Sequence, residues 1–99
     1  MNPGCRDSPS FTDRQGQYLA FIHAYTLVLG RPPAEADIQR FFRVSPPSVH
    51  QMIVSLEKAG LISRRPGVAR SITVLVDRNA LPELVAAKDQ PVRTTMSRY

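Results

Sequence analysis

Ser45, Pro47, Ser48 and Gln51 fall within two turns of one short stretch, and Arg64, Arg65 and Arg70 follow just past its glycine stop. Hydroxyls and a carboxamide both donate and accept hydrogen bonds, which is what the edges of bases demand, and a proline ring can press on a thymine methyl. Guanidinium groups neutralise phosphates and position a protein along a nucleic-acid backbone. The chemistry available is therefore recognition of a polyanion. The plainer reading is a solvated, charged face kept for solubility.

The charge is local. The chain of 99 residues carries a formal +5. Residues 11–39 nearly balance, whereas residues 40–76 hold Arg40, Arg43, Lys58, Arg64, Arg65 and Arg70 against Glu57 alone. A one-sided basic segment favours nucleic acid as partner. A hydrophobic content of 42% fits one globular domain with one modest core. The lone Cys5 forms no internal disulfide, and no apolar run approaches the ~20 residues of a membrane helix. With no signal-like leader, these features predict a cytoplasmic protein that engages no membrane. Catalysis finds no support: there is no glycine-rich phosphate loop and no His/Cys/carboxylate group at metal spacing. His23 and His50 fall on different predicted helices. No enzyme activity, cofactor, metal or small-molecule ligand is expected.

The elements that must position these side chains are legible from caps and periodicity. Thr12 and Gln15 fit a capping box, and Tyr18, Leu19, Ile22, Tyr25, Thr26 and Leu29 recur at helical spacing until Gly30. Pro32 and Pro33 precede a second helix over residues 34–42, with Ala36, Ile38, Phe41 and Phe42 as its packing residues. Ser45 caps a third helix from Pro46 to about Ala59, ended by Gly60; Val49, Met52, Ile53 and Leu56 share its apolar face. The opposite face shows Pro47, Gln51, Val54 and Lys58, flanked by Ser48, His50 and Ser55. "LISRR" and "SITVLV" read as two strands closed by a loop with Gly67 at the reversal. Residues 1–10 read as a flexible lead, 11–76 as the domain, 77–88 as a short terminal helix, and 89–99 as a flexible tail.

Helix, helix, tight turn, helix and hairpin make a mainly α chain with a small β-hairpin, the winged helix-turn-helix layout of three helices and a two-stranded antiparallel wing. A major groove ~12 Å wide admits one helix, and a basic wing beside it can reach the backbone. Residues 11–76 also resemble the N-terminal DNA-binding domain of LexA repressors. The resemblance is carried by T-x-R-Q at the first helix start, the G-R-P-P linker, A-x-I-Q-R in the second helix, the S-P opening of the third helix, L-x-K-x-G-L-I, and G-x-A-R-S-I in the wing. It implies Ser45, Pro47, Ser48, His50 and Gln51 as base-facing, and Arg64, Arg65 and Arg70 as phosphate contacts. Lys58 and Ser71 join the phosphate-contacting set.

The match is imperfect at two places. The turn before the third helix reads one residue shorter than in LexA, and Gln51 stands where that family commonly has an acid, so the LexA operator is not implied. No self-cleaving serine–lysine protease activity is expected, since Lys58 and Lys88 are the only lysines and neither has a supporting pocket. The expectation is a stand-alone regulator, in the main a repressor, that binds double-stranded DNA as a homodimer through "LPELVAA" or the first helix. The competing expectation is a winged module that binds another regulator or a polymerase subunit. As a phosphate contact, Arg70 is expected on substitution by alanine to weaken binding to every DNA sequence alike and to flatten the salt dependence by about one unit.

Overall fold

The computed structural model describes residues 11–86. Three helices are followed by an antiparallel ribbon: α1 (Asp13–Leu29), α2 (Glu35–Phe42), α3 (Pro46–Lys58), β1 (Ile62–Ser63) and β2 (Thr73–Val74). The mainly helical winged layout expected from the sequence is the one observed. The N-terminal lead and the tail from 89 onward lie outside the described residues.

Local chemistry sets each boundary. The Thr12 hydroxyl accepts from the Gln15 N–H at 3.1 Å while the Gln15 side chain accepts from the Thr12 N–H at 3.0 Å. Two otherwise orphaned backbone donors at the helix start are thereby satisfied. Gly30 ends α1 in the left-handed region, φ 76°, where a Cβ is costly. Helix α2 has alanine at its N-cap, which offers no side-chain acceptor; the other half of a capping box remains, with Asp37 Oδ2 accepting from the Ala34 N–H at 2.9 Å. Ser45 caps α3 by accepting from the Ser48 N–H, with Pro46 at the first position.

The core gathers one face of each element. Tyr18, Leu19 and Ile22 of α1 meet Ile38 and Phe42 of α2, Val49, Ile53 and Leu56 of α3, and Leu61, Ile62, Ile72 and Val76 of the ribbon. Tyr18 stacks on Phe42 with ring centroids 4.2 Å apart. The apolar stripe of α1 is buried only in its first half. At 17 residues the helix outruns the 8-residue α2, so Leu27, Val28 and Leu29 at its end stay exposed. Ala36, expected to pack, is also exposed.

The segment after the ribbon departs from the expected terminal helix. A single 3-10 turn, Arg78–Ala80, gives way to extended chain at Leu81, φ −84° and ψ 142°. Pro82 explains the break, because it excludes helical backbone at the residue before it. Gln17 then holds the segment against α1. Its Nε2 donates to the Glu83 carbonyl at 2.9 Å and its Oε1 accepts from the Val85 N–H at 3.0 Å. Gly16 makes room beside it: a Cβ there would stand 2.9 Å from both Phe11 and Pro82.

Candidate nucleic-acid interface

The orientation of α3 follows from what it buries. Val49, Ile53 and Leu56 are fully covered, so at 100° per residue Pro47, Gln51, Val54 and Lys58 lie on the far side. Pro47, Gln51 and Lys58 are exposed and Val54 is half-buried. Gln51 and Lys58 make no hydrogen bond or ion pair among the described residues. The strip carries no acidic side chain.

Two elements border that strip on opposite flanks. On the Ser48 and Ser55 side, a groove is lined by Thr12, Arg14, Gln15 and Tyr18 of the α1 start and by Ser48, Gln51, Met52 and Ser55 of α3. The α1 contribution was missed from sequence, since Thr12 and Gln15 read only as a cap and Arg14 only as part of the T-x-R-Q helix start. On the His50 and Glu57 side stands the root of the wing. Arg64 Nε donates to Glu57 Oε1 at 3.0 Å, and Arg64 Nη1 lies 3.6 Å from Glu35 Oε2. His50 Nδ1 lies 3.5 Å from the same Glu35 oxygen. This quartet joins α2, α3 and the ribbon, so the outward strip of α3 and the wing border one surface.

The base-facing candidates differ in how free they are. Gln51 and Pro47 are open. Ser45 spends its hydroxyl on the helix cap, and its Oγ also lies 2.9 Å from the Ser48 Oγ, so these two serines are coupled. His50 is exposed but leans on Glu35.

The phosphate candidates divide more sharply. Arg65 is exposed at the wing tip, its guanidinium without a partner among the described residues. Its backbone opens a turn in which the Val68 N–H donates to the Arg65 carbonyl at 3.1 Å. Pro66 and Gly67, φ 77°, hold the middle of that turn, the pattern of a type II reversal. Ser71 closes the loop: its hydroxyl accepts from the Arg65 N–H at 2.9 Å and lies 2.9 Å from the Val68 carbonyl as donor. Arg64 is engaged by the two glutamates. Arg70 turns inward, with Nη1 3.1 Å from the Tyr25 hydroxyl, 3.1 Å from Asp37 Oδ2 and 3.4 Å from the Pro32 carbonyl. Sequence reading placed all three arginines together; the structure leaves Arg65 as the open one. The paired strands are also shorter than expected, two residues each, in register Ile62↔Val74 and Ser63↔Thr73.

Asp37 is the hub beneath the wing. The Ala34 N–H holds its carboxyl below the ordinary carboxylate range, helped by the Tyr25 hydroxyl and the charges of Arg70 and Arg40, while burial opposes them. A carboxylate depressed in the folded state lends stability in full above the ordinary value of about 4 and loses it as pH falls through the folded value. The midpoint of urea unfolding should therefore drop below about pH 4, and Asp37→Asn should flatten that acid limb. An unchanged limb would remove Asp37 as its source.

Three helices with a capped third helix and an antiparallel ribbon at its flank define a winged helix-turn-helix domain. The family model for the LexA DNA binding domain matches residues 8–71, and the chain belongs to that family. Similar proteins include the LexA repressor of Thermosipho africanus, 38% identical over 64 residues, covering 65% of this chain and 32% of that protein. The LexA repressor of Pseudothermotoga lettingae is 42% identical over 64 residues, with the same coverage of 65% and 32%. That of Thermotoga petrophila is 36% identical over 72 residues, covering 72% and 36%. The chain thus spans about a third of the length of the curated relatives it matches. No helix among the described residues is long and apolar enough to cross a membrane.

Proposed function

We propose that this chain is a sequence-specific regulator of transcription, a repressor, that seats α3 in the major groove of double-stranded DNA. Loop 64–71 then runs along the phosphate backbone. The observation that carries this reading is the acid-free outward strip of α3, bordered by the wing root on one side and the α1 start on the other. Pro47 and Gln51 face the base edges, with the Ser45–Ser48 pair and His50 at the rim. Phosphates fall to Arg65, Lys58 and Arg43, the last exposed in the turn just before α3. Occupying a promoter with useful affinity asks for two half-sites, so two copies binding together is part of the proposal.

Salt titration tests it. Three to four neutralised phosphates per copy should give log affinity against log salt a slope of roughly −3 to −4 for each copy bound to duplex DNA. Salt-independent or absent binding to duplexes of any sequence would favour the protein-interaction reading instead.

A further inference from the structure

We infer that Arg70 is a positioning residue that fastens the wing to the helices and acts on DNA binding through the wing, without meeting phosphate. The inference rests on the DNA-binding reading above and concerns how the wing reaches its place.

Two paired residues per strand are little to hold loop 64–72 at a defined angle. The loop is instead fastened at both roots. Arg64 ties the outgoing root to Glu57 of α3 and Glu35 of α2. Arg70 ties the returning root to Tyr25 of α1, Asp37 of α2 and the Pro32 carbonyl between them. The partners are themselves linked: the Tyr25 hydroxyl donates to Asp37 Oδ2 at 3.2 Å, and the same oxygen caps α2 at Ala34. Arg70 adopts a left-handed backbone, φ 57°, which L side chains rarely take. The unfavourable backbone accompanies a side chain with three acceptors, a combination that suits a fixed anchor. A phosphate could take Nη1 only in competition with Asp37, Tyr25 and the Pro32 carbonyl.

Wild type, Arg70→Ala, Tyr25→Phe and Arg65→Ala are compared for duplex affinity across salt and for amide hydrogen exchange of residues 64–72 without DNA. Arg70→Ala should lower affinity several-fold at every salt concentration with the wild-type slope kept, and quicken wing exchange about tenfold or more. Tyr25→Phe keeps every charge; it should shift both readouts the same way by less. Arg65→Ala should flatten the slope by about one unit. The inference is overturned if Arg70→Ala flattens the slope with wing exchange unchanged, or if Tyr25→Phe tightens binding by releasing Arg70. Should Arg70→Ala fail to fold, Tyr25→Phe decides alone. If wild type binds no duplex, the DNA reading falls, and the exchange arm still settles whether Arg70 holds the wing.

Discussion

Ile53→Ala should destabilise the domain by about 2–5 kcal/mol, lowering its melting temperature by roughly 8–40 °C. Ile53 is fully buried in the middle of α3, between Val49 and Leu56, and sits in the cluster shared by all three helices and the ribbon. Removing its outer carbons leaves a cavity that the surrounding elements cannot easily close. A domain of this size holds only ~5–10 kcal/mol in total, so the loss is a large share. The consequence reaches function because the same packing fixes which face of α3 looks outward. Calorimetry or urea unfolding reads the effect. A cost under about 1 kcal/mol would mean that α3 is rotated and Ile53 is not its inner face.

Gln51→Ala is the second large effect, and it should appear in specificity with stability untouched. The side chain is exposed and makes no hydrogen bond or ion pair among the described residues, so unfolding should shift by no more than about 0.5 kcal/mol. Its carboxamide is the one fully open donor and acceptor pair on the outward strip. Losing it should relax discrimination at one base pair by about 1–3 kcal/mol, roughly 5- to 150-fold, while other positions keep their preferences. Competition binding against single-base variants of a selected duplex measures this directly. Equal weakening on every variant would assign Gln51 to general affinity and remove its reading role.

The helices were readable because their signals are short-range. Thr12 and Gln15 lie one turn apart and cap each other as their spacing requires; Gly30 stops α1 and Ser45-Pro46 opens α3 for equally local reasons. Membership of the LexA DNA-binding family was legible too, from several weak motifs in order. What could not be read depends on partners distant in the chain. Arg70 resembles Arg64 and Arg65 in sequence, yet it finds Tyr25 and Asp37 by a left-handed turn that no motif announces. Gln17 looks like an ordinary helix residue, and only the fold brings Glu83 and Val85 to its amide. The terminal helix failed for a local reason that was visible: Pro82 interrupts it. The groove between α3 and the α1 start needs the packing angle of two helices, which periodicity alone does not supply.

Selecting bound sequences from a random duplex library, then mapping amide shift changes on adding the selected duplex, bears most directly on the central claim. A defined sequence motif is expected, with the largest changes in residues 45–51, at Ser55 and Lys58, around Arg65 to Val68, and at Thr12 to Gln15. No enriched motif, or changes concentrated on Leu27 to Leu29 and the 81–86 segment, would contradict it.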